Sequence, residues 1–238
     1  AVIANLVAPG QAVLMPSTGH FSESWAVQTE AMGGRVVRTP WVEGLPIDPA
    51  EIEAMLRADV AHEIAAVFVV HTDTASGITN DLVALRAAID RSGHPALFVV
   101  DVVASLAAAP FAMDALRADV ALGASQKGLM VPPGLAFVAV NARAMDASRL
   151  NTTPRFYWDW QRRQSPLSYR KFCGTPPQSL VFGLEAALGL IALVGIDELF
   201  ARHRRIADAV HAAVECWSEA GALRFFATLP ASRSVSVT

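Results

Sequence analysis

The sequence has almost no lysine. Of its 19 basic side chains, Lys127 and Lys171 carry amines and the rest are arginines. Cysteine is equally scarce: Cys173 and Cys216 are too few for a disulfide framework and show no metal-ligand spacing. That usage fits a reducing compartment, so the expected location is the cytoplasm. A basic excess is missing as well. The net charge of −3 excludes a broad cationic surface for nucleic acid. Arg202, Arg204 and Arg205 cluster, but on a helical pattern, where they read as a solvated face. Long apolar runs are also lacking. The most apolar stretch, "LVFGLEAALGLIALVGI" (180–196), carries Glu185 and three glycines. It falls about one turn short of the roughly 20 residues of a bilayer span and reads as a packed core helix. No cationic start followed by an apolar run and a cleavage site marks secretion. Neither nucleic acid nor membrane is an expected partner.

What is there is a globular composition. With 238 residues, 53% hydrophobic and 17% charged, the chain has material for one large domain with an appendage. A mean hydropathy of +0.37 points to a buried subunit interface. The chain opens on "AVIANLVAPG", without methionine, in what reads as the middle or end of a helix. It stops at "SRSVSVT", which reads as a strand entered and cut. The expectation is a piece of a longer protein.

Short apolar runs alternate with helical patterns. "QAVLMP" (11–16) and "RVVRTPW" read as strands flanking the helical "SESWAVQTEAMGG". "IDPAEIEAMLRAD" begins a helix with Asp48 at the N-cap and Pro49 in the first turn. "IAAVFVVH" (64–71) and "ALFVVDVV" (96–103) are continuous apolar runs, as in parallel strands covered on both faces, with the helix "NDLVALRAAIDRSG" between them. "VALGA" and "GLAFVAV" complete the strands. The alternation predicts an α/β domain with a mostly parallel or mixed sheet. Residues 148–178 are aromatic, basic and proline-punctuated, and read as an ordered irregular segment. Helices at about 178–195 and 197–219 follow. "LRFFATLP" and "SVSVT" then read as the start of a smaller domain. The division falls into 1–177, a large α/β domain, and 178–238, connecting helices with the start of the second unit.

Ligands of α/β sheets gather beyond the carboxyl ends of strands. Three such ends carry polar groups: "HTDTASG" with His71 and Thr74, "DVVAS" with Asp101, and "SQKG" with Gln126 and Lys127. One reading makes Asp101 and Lys127 a structural ion pair. The other starts from what an amine does and a guanidinium cannot. A buried lysine loses its proton more readily, and the neutral amine condenses with an aldehyde to a Schiff base. Pyridoxal phosphate is an aldehyde cofactor needing such a lysine, a carboxylate against its pyridinium nitrogen, a phosphate pocket and an aromatic face. Gln126 and Thr175 are candidates for the phosphate, Phe21 or Trp25 for the face.

"DVVASLAAAP", "GASQKGLMVPPGLAF", "RFYWDW", "TPP" (175–177) and "LFARHRRIA" (199–207) together resemble the class V, fold-type I aminotransferases, nearest the serine–glyoxylate and alanine–glyoxylate enzymes. The resemblance covers essentially the whole chain. It implies a fold-type I large domain, pyridoxal phosphate, and a homodimer with its active site at the interface. It also implies amino transfer from a small amino acid, serine foremost, to glyoxylate. Aspartate–glyoxylate, alanine–glyoxylate and pyridoxamine–pyruvate transfer, a lyase, or a non-catalytic cofactor-binding scaffold are the alternatives. By the same resemblance Lys127 is the Schiff-base lysine and Asp101 the partner of the ring nitrogen. Gln126 contacts the phosphate, and Thr175 reaches the neighbouring subunit's phosphate. Phe21 stacks on the ring, and Thr74 stands beside it. His71 reads as hydrogen-bonded scaffolding near the cofactor, and Cys173 as a neighbour of Thr175. The chain departs from the family at "FCGTPP", where Gly174 replaces an aromatic residue, and at "HTDTASG". Both departures bear on substrate identity. The family's glycine-rich phosphate turn and its carboxylate-binding arginine would lie before Ala1 and after Thr238.

Overall fold

The apolar runs of the central strands form a sheet covered on both faces. The computed structural model describes residues 1–172 and 174–237. It begins with α1 (Val2–Leu6), β1 (Ala12–Met15), α2 (His20–Ala31), β2 (Arg35–Arg38) and α3 (Pro49–Ala58). β3 (Ile64–Val70) leads into a small antiparallel hairpin, β4 (Thr72–Asp73) and β5 (Ile78–Thr79), before α4 (Leu82–Ser92) and β6 (Leu97–Asp101). Then come α5 (Met113–Leu116), β7 (Val120–Ala124), β8 (Ala136–Val140), α6 (Ala142–Leu150), α7 (Trp160–Arg163), α8 (Gln178–Val194) and α9 (Ile196–Glu219). The main sheet runs β2-β1-β3-β6-β7-β8. Its neighbours are parallel except for β8, which returns antiparallel beside β7. This is the mostly parallel α/β sheet that the alternation predicts.

Successive residues of the central strands serve two cores. Leu14, Val67, Val69, Phe98 and Val100 pack with Ile52 and Leu56 of α3 and Leu85 and Ile89 of α4. Val13, Met15, Ala66, Phe68 and Val99 pack on the opposite face with Ile3, Leu6, Ala26 and Met145. Each fully buried aliphatic or aromatic side chain contributes about 1.5–3 kcal/mol. Helix starts follow the sequence signals. Asp48 accepts the Ala50 N–H at 2.8 Å, and Asp81 accepts that of Ala84 at 2.9 Å.

Three expectations change. Helix α6, capped by Asn141 through the Ala144 N–H at 2.9 Å, stands where the sequence reading names no element. "LRFFATLP" and "SVSV" form no strand among the described residues. They are joined to earlier residues through Thr228 N–H to Gly44 C=O, Ser234 N–H to Gly77 C=O, and one bridge between Ile78 and Arg233. Helix α8 is not enclosed within this chain. Leu184 and Ile191 pack on Ala107 and Leu129, whereas Phe182 and Leu193 are 66% and 83% exposed. No single helix among the described residues is long and apolar enough to cross a membrane.

His71 ties the strand ends together. Its N–H donates to the Asp101 carbonyl at 2.9 Å and its carbonyl accepts from Asn80 N–H at 2.8 Å. The ring Nδ1 lies 2.8 Å from Ser105 Oγ. Burial lowers the imidazole pKa from 6.5 to about 4, against the opposing charge of Asp81. The unfolded chain therefore takes up a proton at a pH where the folded chain does not. Stability should fall as the pH drops from 6.5 toward about 4, with His71 responsible for up to about 3 kcal/mol of the loss. Urea unfolding across that range should show a shallower slope for His71→Asn; equal slopes would contradict the assignment.

Candidate active site

The parallel strands β3, β6 and β7 bring their carboxyl ends to one edge. Asp101 closes β6 opposite Leu122 of β7, so Asp101 and the turn holding Lys127 emerge from adjacent strands on the same side. The half-buried Asp101 carboxylate has two internal donors. Oδ2 accepts the Trp25 indole N–H at 2.9 Å, and Oδ1 accepts the Val103 N–H at 2.9 Å. Burial raises its pKa above the ordinary carboxylate value, the two hydrogen bonds oppose that, and the nearby Asp73 charge adds to the rise. No ion pair joins Asp101 to Lys127, so the structural-pair reading is not what the chain forms.

Helix α2 is aimed by Asp73. This fully buried carboxylate accepts the N–H groups of Phe21 (3.0 Å) and Ser22 (3.1 Å) through Oδ2, and that of Ala75 (3.1 Å) through Oδ1. It thus meets the unpaired N–H groups and positive end of the helix. Gly19 permits the approach, because a Cβ there would lie 2.6 Å from the Asp73 carboxyl carbon. Phe21 and Trp25, four residues apart, share one face of α2. Both line a cleft of about 770 Å³ together with Asp101, Leu122, Tyr157, Trp158, Phe172 and Thr175.

The structure therefore brings Phe21, Trp25, Asp101 and Thr175 together. Thr175 is exposed, and it also borders a second cleft containing Phe156, Arg162, Arg163, Tyr169 and Arg170. Lys127 and Gln126 lie in the turn after β7 and do not line the first cleft. That turn is fixed by Ser125, whose Oγ donates to the Pro132 carbonyl at 2.8 Å and whose C=O accepts the Val131 N–H at 3.0 Å. At Gly128 a Cβ would come within 2.2 Å of the Leu106 carbonyl, so the lysine turn can lean on the turn after Asp101 because it has glycine there. The expectation of a buried lysine is corrected: Lys127 is exposed, because its turn lies at the rim of the sheet rather than under a covering element. Thr74 sits in the β4–β5 turn and lines another cleft, beside Arg233 and Ser234. His71 is buried on Ser105, as scaffolding. Cys173 lies outside the described residues.

Sequence reasoning missed Asp73 as the anchor of α2 and Trp25 as the partner of Asp101. Asp73 stands in the same strand-end motif as His71, but its pairing partners are more than 50 positions away, where spacing carries no signal. Asn5 was missed as well. Its buried amide donates to the Trp158 carbonyl at 2.7 Å and accepts from Ser148 and Arg155 at 3.0 Å, fixing the loop that bears Tyr157 and Trp158. Among the described residues no group of His, Cys, Asp or Glu is arranged to hold a metal ion.

Comparison with known proteins agrees with this geometry. The family model "Aminotransferase class-V" matches residues 1–237. L-aspartate–glyoxylate aminotransferase of Paracoccus denitrificans is 40% identical over 238 residues, covering 99% of this chain and 59% of the relative. Serine–glyoxylate aminotransferase of Methylorubrum extorquens is 40% identical over 222 residues, covering 90% and 55%. Among solved structures, ureidoglycine–glyoxylate aminotransferase from Bacillus subtilis superposes with a TM-score of 0.81 at 27% identity, covering 91% of this chain and 56% of that one. Pyridoxamine–pyruvate aminotransferase from Mesorhizobium loti gives 0.81 at 27% identity, covering 98% and 58%. The chain spans little more than half the length of these relatives. With its mostly parallel sheet and its strand-end carboxylate and lysine, the chain belongs to the class-V aminotransferase family.

Proposed function

We propose that the protein is a pyridoxal-phosphate-dependent transaminase that moves an amino group from a small amino acid, serine foremost, to glyoxylate. The observation that carries this reading is Asp101: a half-buried carboxylate, held by two neutral donors, facing an aromatic-walled cleft. A carboxylate offers about four lone-pair directions, and the chain itself uses two. The remainder suits a cationic N–H, so the donor set fits a pyridinium ring. The cofactor, when bound, supplies an aldehyde that joins amines and a ring that accepts electrons from the substrate's Cα.

The chain's residues divide the rest of the work. Asp101 sets a fixed negative charge against the ring nitrogen. Phe21 offers its face to the ring, and Gln126 and Thr175 offer donors to the phosphate. Lys127 would hold the cofactor's aldehyde through Nζ, and the same Nζ would take the proton from the substrate Cα. Thr74, which lines a neighbouring cleft, would serve the β4–β5 turn, and His71 would serve the scaffold through Ser105. Residues 1–177 form the cofactor domain, while 178–238 hold connecting helices and the start of a second unit. The exposed apolar residues of α8 support a homodimer; Thr175, exposed where it borders two clefts of its own chain, would reach the partner's site in that assembly.

Aspartate as donor is the second reading, favoured by the Paracoccus relative at 40% identity over 99% of the chain. Supplying the whole protein with glyoxylate and with serine, aspartate or alanine in turn should yield glycine fastest with serine. Aspartate leading would select the second reading. Cofactor uptake with no amino-acid-dependent change in absorbance would leave a non-catalytic binder. Borohydride reduction of the loaded protein should fix the cofactor to the peptide carrying Lys127, and Lys127→Ala should show no such adduct; a labelled peptide elsewhere overturns its role. Asp101→Asn should retain the adduct yet lose about 10²–10³-fold in kcat, whereas near-normal turnover would remove Asp101 from the site.

A further inference from the structure

The Trp25–Asp101 contact joins residues 76 positions apart and lies at the base of the cleft. The indole does not simply fill space. Its ring is tilted by 53° against Phe68, with centroids 5.3 Å apart, and this holds the N–H on Asp101 Oδ2. Behind the contact, Met15, Pro16, Val70 and Val99 line a void of about 10 Å³. That is barely the space of one water molecule, so solvent is a poor substitute donor.

We propose that Trp25 is the positioning residue of this site: its indole N–H orients the Asp101 carboxylate and keeps it ionised without neutralising it. The choice of donor matters. An arginine here would pair bidentately with the carboxylate and cancel its charge. An indole donates one hydrogen bond and leaves the full negative charge for a ligand. The use of that charge by a ring nitrogen rests on the function proposed above; the control of Asp101 by Trp25 does not.

The charged and titratable groups around Asp101 leave this task to few donors. Asp73 on β4 opposes ionisation with a like charge. His71 at the end of β3 is neutral and turned to Ser105. Helix α2 brings the hydroxyl of Ser22 besides Trp25, and that hydroxyl is given to Gly19 and Asp73. β7 presents Leu122, and Lys127 in the following turn is exposed and unpaired with Asp101. The Trp25 and Val103 N–H groups are what remains.

The test uses the cofactor-free protein, so its outcome is independent of whether pyridoxal phosphate binds. Burial raises the folded pKa of Asp101 above its unfolded value, so its favourable contribution exists at low pH and is lost as pH rises through the folded value. Removing the indole raises the folded value further. The stability penalty of Trp25→Phe should therefore grow from pH 4 to pH 7, by about tenfold or more in the unfolding constant. In an Asp101→Asn background the same substitution should cost the same at every pH. A pH-independent penalty in the native background would overturn the proposal and leave Trp25 as packing. Should Trp25→Phe fail to fold, the wild-type indole N–H resonances decide the matter. One of the five tryptophans should titrate with a midpoint above the ordinary aspartate range and stop titrating in Asp101→Asn. If none does, the proposal fails.

Discussion

A carboxylate removed from water must be solvated by the chain, and the way Asp73 meets that demand places the rest of the site. It takes two N–H groups from the first turn of α2 and one from its own turn. Those helix N–H groups have no partner inside the helix, so the arrangement satisfies donors and acceptor together. The result is a rigid coupling between the end of β3 and the axis of α2. Phe21 and Trp25 then point into the cleft as a consequence of where the helix starts. Gly19 belongs to the same device, since any side chain there would occupy the carboxylate's position.

The two-faced sheet makes this coupling stiff. β1, β3 and β6 are apolar on both sides, and each side is sealed by helices. Strands buried on both faces have little freedom to slip, because a shift of one residue would exchange the two cores. Their ends are therefore fixed points from which polar side chains can be aimed. Asp101 benefits most: its backbone is paired to β3 and β7, and its carbonyl receives the His71 N–H.

Much of this was legible in the sequence where the cause is local. Asp48 and Asp81 announce their helices through bonds two or three residues away. The continuous apolar runs announce buried parallel strands. Asn141 sends the same local signal for α6, yet the aromatic and proline-rich stretch that follows hides it. What the sequence could not show is non-local. "SVSV" has strand propensity, but a strand needs a free edge, and here the one bridge to β5 is made by Arg233, just before the segment. Lys127 sits among small apolar residues, which suggests burial, while exposure is set by what covers the turn. The Trp25–Asp101 bond likewise has no trace in spacing. The family resemblance implies roles for Lys127 and Asp101 without indicating what holds either in place.

Asp73 and Asp101 show how two neighbouring aspartates at one sheet edge come to do different work. Asp73 is enclosed and takes three backbone N–H groups, which commits it to structure. Asp101 is half-buried and takes one indole and one amide N–H, which leaves lone pairs toward the cleft. The unmet hydrogen-bonding capacity, more than the charge itself, makes Asp101 the candidate of the pair for binding a ligand. Asp73 also acts on Asp101, since its charge adds to burial in raising the cost of ionising Asp101. A site organised this way favours a ligand that brings positive charge and a hydrogen-bond donor together, because such a group relieves both the burial and the like-charge repulsion. A flat aromatic cation meets that requirement and can lie against Phe21, which lines the same cleft as Asp101.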